Sequence, residues 1–160
     1  GQYAHGNEPS HHTTYMYAYS GEHYKIADKV RYINNELYTD EPDGLSGNED
    51  CGQMSAWYIL SSMGFYPVNP SNGAYVFGSP LFDEVFLNIP GQNKFKISAK
   101  NNSDKNIYIQ SVSLNGEDYK YSYITHKQIL EGGELEFVMG PSPNKNFGTE
   151  KKYRPKSIVY

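Results

Sequence analysis

The sequence predicts an α+β fold in which helices come first and antiparallel strands follow. Apolar residues recur at helical spacing over residues 24–37, and residues 51–63 form a short apolar run without an internal proline. Between residues 74 and 138, several segments instead alternate apolar and polar residues, as half-buried strands do. Turns rich in Asn and Gly separate these segments, which favours hairpin connections.

Composition excludes several classes of function. The 160 residues carry 14 basic and 18 acidic side chains, a formal net charge of −4 with no long basic run, so we expect no nucleic-acid partner. No apolar run is long enough to span a bilayer, and the one cysteine, Cys51, excludes an internal disulfide. The 16 tyrosines offer rings that can stack on sugars. Because the first residues contain neither a start methionine nor a signal peptide, we expect a piece of a longer chain.

Three helices are expected in the first part of the chain. Residues 9–19 begin with a proline suited to a first helical turn, although their Thr and Tyr content argues against a helix. Residues 24–37 form a clearer helix with an apolar face, and its charged residues are expected to face water: Lys25, Asp28, Lys29, Arg31 and Glu36. Residues 51–63 predict a buried helix, which Gly64 and the later Pro67 terminate.

The short connections imply how these helices are arranged. Consecutive helices joined by short turns run antiparallel, so the first and third point the same way and bring Glu8 and Asp50 to one end. The more charged middle helix is then the outer one, which is the alternation of an α/α toroid. We therefore predict helices of an α/α toroid in residues 1–68, and a β-rich portion with a tail in residues 69–160.

The second part of the chain is predicted to be an antiparallel sandwich-like structure. Turns are expected at residues 91–93, 101–104 and 115–116, and Thr125 is expected to cap one helical turn over residues 126–130. The polar segment from Pro141 onward is expected to lie on the surface or to join another domain. The predicted strands are residues 74–77, 84–89, 94–100, 107–114 and 135–138.

The most informative stretch is the acidic loop, residues 43–50, directly before the third helix. A helix N-terminus carries partial positive charge and unpartnered N–H groups, which favour an ionised Asp50 there. An ionised carboxylate on a rigid element suits a general base or a metal ligand. The alternative is that Asp50 or Asn48 only caps the helix. Glu49 and the flanking glycines are more than a cap requires.

The carboxylates near the two helix ends suggest specific chemistry. Glu8, Asp43, Glu49 and Asp50 could hydrolyse a glycoside, or bind Ca²⁺ together with backbone oxygens, although the loop does not match an EF-hand.

Other candidates for a metal, sugar-binding or nucleophilic role are weaker. Neighbouring His11 and His12 point apart on a helix and cannot easily share zinc, Trp57 is expected to pack in the core, and Cys51 lacks a partner base in the sequence.

Several motifs together resemble glycoside hydrolase family 92. They are residues 6–12 (GNEPSHH), 47–58 (GNEDCGQMSAWY), 64–67 (GFYP), 78–82 (GSPLF) and 133–140. The family contains calcium-dependent, exo-acting α-mannosidases that invert anomeric configuration, many of them cleaving α-1,2 links. The resemblance implies an (α/α)6 toroid packed with β-sandwich structure, of which this chain is the C-terminal portion. It also implies mannose-containing glycans as substrates, a role in N-glycan degradation, and a periplasmic or secreted location.

The resemblance implies roles for four residues. Asp50 matches the general base, and Glu8 matches a calcium or substrate ligand. Asn48 stands where the family often has a second Asp, and we expect Asn48 and Glu49 to contact substrate. The general acid is expected upstream of Gly1, so the isolated chain is expected to be inactive. In the implied mechanism Ca²⁺ binds two mannose hydroxyls and distorts the ring, Asp50 activates water, and the upstream acid protonates the leaving oxygen.

Two other classes of function remain open from the sequence. The strands could form a carbohydrate-binding module that binds glycans without cleaving them, in which case Asp50 would not affect affinity. Alternatively the chain is a structural piece between domains, and its acidic loop only caps helices.

Overall fold

The computed structural model describes residues 2–91 and 94–157, and it confirms the α+β class. Helices occupy the chain up to Met63 and strands dominate from Phe65 onward. Gln92 and Asn93, on which the predicted turn at residues 91–93 depends, lie outside the described residues. Among the residues described, no helix has both the length and the apolar character to cross a membrane.

The first predicted helix is wrong as a single element. The chain instead forms two short 3-10 helices, Glu8–Ser10 and Thr13–Tyr15, and then a four-residue helix α1, Tyr17–Ser20, which ends at Gly21 with φ 83°. The Thr and Tyr residues of this segment have low helix propensity. The buried side chains of Thr14, Tyr15 and Ala18 hold this segment against the helices that follow.

Helix α2, Lys25–Glu36, confirms the second predicted helix with one correction. Arg31 was expected to face water but is buried, with 6 % of its surface exposed. Its Nε donates to Ser79 Oγ at 2.9 Å, and its Nη2 donates to the carbonyl of Pro80 and to Asn102 Oδ1. Burial lowers the pKa of Arg31, while nearby carboxylates oppose that shift. The guanidinium thus ties the helical layer to loops of the β-rich part.

Helix α3, Gln53–Met63, begins two residues later than predicted and ends at Gly64 as predicted. Gly64 takes φ 104°, and its N–H closes the last turn on the carbonyls of Leu60 and Ser61. The expectation of a fully buried helix is only partly right. Trp57 and Met54 are completely buried, which confirms the core assignment of Trp57, but Ile59 is 56 % exposed.

A strand that the sequence did not reveal follows α3 immediately. β1, Phe65–Asn69, pairs antiparallel with β2, Ala74–Phe77, and β2 pairs with β7, Tyr123–Thr125, in the order β1-β2-β7. Phe65 faces one core and Tyr66 faces another, so the strand is apolar on both faces and shows no alternation. Pro67 is tolerated because β1 is an edge strand.

The second sheet consists of β3 Glu84–Leu87, β4 Phe95–Lys100, β5 Tyr108–Leu114, β6 Glu117–Asp118 and β8 Gly133–Gly140. These five strands lie in the order β3-β4-β8-β5-β6. The expectation of purely antiparallel pairing is wrong here, because β4 and β8 run parallel from Phe95↔Gly133 to Lys100↔Val138. The other pairs are antiparallel, and Asn115-Gly116 forms the predicted turn between β5 and β6.

Three layers result from the alternation of side chains in the smaller sheet. Phe65 and Phe77 point into a core shared with the five-stranded sheet, including Phe95 and Phe137. The neighbouring Tyr66 and Val76 point to the other side, where they pack with Tyr15, Ile26, Val30, Ile33 and Trp57 from the helical segment. The small sheet therefore joins the helices to the larger sheet.

The last part of the chain that the structure describes, up to residue 157, is anchored more firmly than predicted. Helix α4, His126–Leu130, confirms the predicted turn, with a capping box between Thr125 and Gln128. The segment from Pro141 onward was expected to lie on the surface or to join another domain, but Phe147 is buried in the main core and packs edge-on against His23. The backbone N–H of Ser122 also donates to the carbonyl of Tyr153, so this segment is part of the fold.

Candidate active site

Two loops that carry the predicted acidic residues meet at a pair of glycines. A Cβ built on Gly6 would lie 2.4 Å from the carbonyl oxygen of Ser46, and one built on Gly47 would lie 2.7 Å from the Cα of Gly6. The loop before the Glu8–Ser10 turn and the acidic loop before α3 are thus in backbone contact. Only glycine permits this approach, because any side chain would collide with backbone atoms.

Asp50 sits on a left-handed turn just before α3. Three consecutive residues have positive φ, namely Asp50 at 44°, Cys51 at 58° and Gly52 at 92°. This conformation costs an ordinary L-residue about 1–2 kcal/mol, and such strain is concentrated at functional sites. Asp50 is exposed, and within residues 2–91 and 94–157 its carboxylate accepts no hydrogen bond.

The carboxylate that binds the N-terminus of α3 belongs to Glu49. Its Oε1 accepts from the Ser55 backbone N–H at 3.0 Å, and its Oε2 accepts from Ser55 Oγ at 2.8 Å. Its carbonyl also accepts from the Met54 N–H at 3.3 Å. The alternative that Asp50 or Asn48 caps the helix is therefore wrong: the cap position is Gly52, and the capping contact comes from Glu49.

Glu8 offers a carboxylate oxygen of a different kind. The side chain is half-buried, and Oε1 is enclosed with no hydrogen-bond partner among the described residues. An enclosed carboxylate oxygen without a donor is suited to a cation, and calcium prefers such oxygen ligands. The described residues contain no cluster of three or more His, Cys, Asp or Glu side chains able to hold a metal. Glu8 therefore fits calcium as one ligand, and the described carboxylates do not form a complete site.

A partly buried chain of hydrogen bonds connects the segment before Glu8 to Tyr38 and α3. Tyr38 donates its hydroxyl to the Met54 carbonyl at 2.9 Å, so its oxygen accepts from His5 Nε2 at 2.6 Å. His5 Nδ1 is then the acceptor for the Tyr3 hydroxyl at 2.7 Å. This tautomer is assigned from the partners. Burial, and then His11, lower the pKa of His5 to about 4, so the ring is neutral at physiological pH.

His11 links the same region to the first residue of α3. Its Nε2 donates to the His5 carbonyl at 2.9 Å, so its Nδ1 accepts from Gln53 Nε2 at 3.0 Å. The ring stacks on His5 with centroids 4.5 Å apart, and burial lowers its pKa. Trp57 Nε1 donates to the His11 carbonyl at 3.1 Å. The Glu8 loop is therefore held to α3 through neutral, mutually bonded side chains.

The remaining residues considered from the sequence are the histidine pair, the cysteine and two residues of the acidic loop. His11 is buried whereas His12 is exposed, so their rings do not face a common site. Cys51 is exposed and lies within the left-handed turn. Asn48 and Asp43 are exposed in the acidic loop.

Sequence reasoning missed the residues that organise this site: His5, Tyr38, Gln53 and Ser55. His5 bonds to Tyr38 across 33 residues and Gln53 bonds to His11 across 42, so local spacing carries no signal for these contacts. Only Ser55 had a local signal. It lies six residues after Glu49, within reach of a carboxylate at the start of a helix.

Comparison with known proteins gives consistent matches. A family profile described as the glycosyl hydrolase family 92 catalytic domain matches residues 1–141. A family GH92 alpha-mannosidase structure from Bacteroides thetaiotaomicron is 41 % identical, with a TM-score of 0.94 over 100 % of this chain and 22 % of that chain. A structure described as a family GH92 inverting mannosidase, from strain VPI-5482 of that species, is 43 % identical, with a TM-score of 0.92 over 98 % of this chain and 21 % of that one.

A curated sequence from a second organism also matches. A protein named as an uncharacterized secreted glycosidase from Arthroderma benhamiae is 32 % identical over 96 % of this chain and 20 % of its own length. The chain thus spans about a fifth of the length of these relatives.

Proposed function

Because the chain belongs to glycosyl hydrolase family 92, we propose that it is the C-terminal part of an inverting, exo-acting α-mannosidase. Its substrates are mannose-containing glycans, with α-1,2 links and N-glycans as the specific targets. The similarity to two structures described as an alpha-mannosidase and an inverting mannosidase supports the reaction class. The partner that completes the site is the upstream part of the same polypeptide.

The contrast between Asp50 and Glu49 is the observation that carries this proposal. An inverting glycosidase needs a carboxylate that is free to accept a proton from water. Glu49 uses both of its oxygens on Ser55, whereas Asp50 is exposed and accepts no hydrogen bond from a described residue. Asp50 is therefore assigned as the general base. The opposing general acid comes from the upstream part, at a carboxyl separation of roughly 6.5–9.5 Å.

Calcium is the proposed cofactor, and Glu8 is the residue of this chain that holds it. The enclosed oxygen of Glu8 supports this assignment. A bound calcium ion supplies positive charge that attracts the hydroxyl oxygens of a mannose ring. The contact of Gly6 with Ser46 and Gly47 keeps the Glu8 loop beside the loop of Asp50, so this chain can orient a sugar and activate water at one place. The exposed Asn48 contributes to sugar binding.

A periplasmic or secreted location follows from the same reasoning. The relative from Arthroderma benhamiae is named as a secreted glycosidase. Glycans of the kind proposed as substrates are met in the periplasm or outside the cell.

The decisive experiment replaces Asp50 with Asn in the full-length protein. Asp50→Asn keeps the shape of the side chain but removes the proton acceptor, so kcat for an α-mannoside should fall about 10²–10⁴-fold while KM changes little. Asp40→Asn, an exposed change in the neighbouring loop, is the matched control. Normal turnover of Asp50→Asn would place the base elsewhere. Hydrolysis by residues 1–160 alone, abolished by the same change, would show that the acid lies within this chain.

A further inference from the structure

We propose that Glu49 is a positioning residue that holds the Asp50 turn by clamping Ser55. It neither accepts the catalytic proton nor makes the substrate contact that the family resemblance led us to expect. This inference rests on the proposed function of Asp50 as general base.

The clamp has three attachments to the first turn of α3. Both carboxylate oxygens of Glu49 accept from Ser55, one from the backbone N–H and one from the hydroxyl. The carbonyl of the same residue accepts from the Met54 N–H. A carboxylate with both oxygens engaged has a fixed direction, so Glu49 connects the acidic loop rigidly to the helix.

Asp50 depends on this connection because its own contacts are few. The one described hydrogen bond at this residue is from the Gln53 N–H to its carbonyl, at 3.2 Å. Its side chain is not anchored by any described residue, and its left-handed backbone continues through Cys51 and Gly52. The direction of the Asp50 carboxylate is therefore set by the residues on either side, Glu49 before the turn and Gln53 after it. A base that is misplaced by about 1 Å can lose about 10²-fold in rate.

The chemistry of the clamp allows a sharp choice of variants. The amide of Glu49→Gln can still accept from the Ser55 N–H with its oxygen and can donate to Ser55 Oγ with its nitrogen, so the clamp survives but a proton acceptor is lost. Glu49→Ala removes the clamp altogether. Ser55→Ala removes one of the two side-chain contacts, whereas Ser55→Thr keeps the hydroxyl.

These variants should be tested in the full-length protein with an α-mannoside, beside Asp50→Asn and the matched exposed control Glu41→Ala. Glu49→Gln should keep kcat within about threefold, and its kcat/KM should retain the acidic limb of the wild-type pH profile. Glu49→Ala should lower kcat about 10–100-fold with little change in KM. Ser55→Ala should lower kcat less than Glu49→Ala does, and Ser55→Thr should keep the wild-type kcat. Adding Ser55→Ala to Glu49→Ala should lower kcat little further than Glu49→Ala alone.

Three outcomes would overturn the inference. A loss of about 10²-fold or more in Glu49→Gln would make Glu49 a proton acceptor. A raised KM with unchanged kcat in Glu49→Ala would make it a substrate ligand. Normal kcat in a folded Glu49→Ala variant would show that the contact with Ser55 only caps the helix. If that variant fails to fold, equal kcat in Ser55→Ala and Ser55→Thr would show the same. Normal turnover of Asp50→Asn would instead refute the proposed function, so the two failures are distinguishable.

Discussion

Gly6 and Gly47 touch backbone to backbone, so a Cβ on Gly47 would lie 2.7 Å from the Cα of Gly6 and 2.8 Å from its carbonyl oxygen. This contact joins segments that are far apart in the sequence and that carry Glu8 and Asp50. Neither partner can move easily, because backbone rather than a flexible side chain fills the space. The juxtaposition of the two acidic loops therefore depends on two residues without side chains.

Gly47→Ala should weaken both the fold and the catalytic site. Overpacking of this kind costs about 1–3 kcal/mol, so the melting temperature of the full-length protein should fall, and separation of the loops should lower kcat. Gly116→Ala is the control: Gly116 has a φ of 83°, which would strain an alanine there, but its Cβ would meet open space in the β5–β6 turn. The control should leave kcat unchanged. Wild-type melting and turnover in Gly47→Ala would show that the contact is dispensable.

Calcium binding should depend on Glu8. Removal of a carboxylate ligand is expected to weaken affinity at least about 10–100-fold, the range seen even for outer-shell partners. Calorimetric titration of calcium into Glu8→Gln, together with the calcium-induced rise in melting temperature, measures this directly without reference to activity. Glu36→Gln, an exposed carboxylate at the end of α2, is the control. Unchanged affinity in Glu8→Gln would remove Glu8 from the calcium site.

Stability should fall as the pH drops from 6.5 towards 4. Burial lowers the pKa of His23 to about 4, and burial followed by His11 lowers the pKa of His5 to about 4. Each imidazole then binds a proton more readily in the unfolded chain, so its contribution is complete above pH 6.5 and is lost through this window. For the fully buried His23, the shift corresponds to about 3 kcal/mol.

His23 is the better residue for measuring this pH dependence, because it lies away from the candidate site. It donates to the Phe77 carbonyl at 2.9 Å and packs against Phe147. His23→Gln should lower the melting temperature at neutral pH, yet flatten its decline between pH 6.5 and 4. The exposed His12→Gln change should preserve the wild-type slope. If His23→Gln and wild type decline in parallel, the buried imidazole is not responsible.

Local signals in the sequence determined several elements of this protein. The apolar spacing of α2, the stop of α3 at Gly64, the Thr125 capping box and the Asn115-Gly116 turn all depend on residues within a few positions of one another. The motifs around Glu8 and Asp50 were equally visible, because each is a contiguous run. Such features need no knowledge of distant partners, and for that reason a single sequence reveals them.

Only the tertiary structure determined which polar groups are buried and which partners they bond to. The sequence predicted that Arg31 of α2 faces solvent, but in the fold the loops at Pro80 and Asn102 supply acceptors for its guanidinium. β1 escaped notice because a strand covered on both faces has no alternation, and the parallel pairing of β4 with β8 leaves no mark in either segment. Glu49 and Asp50 are chemically alike and adjacent in sequence. The positive φ of Asp50 directs one carboxylate to solvent, while Ser55 binds the other, and only the folded backbone distinguishes them.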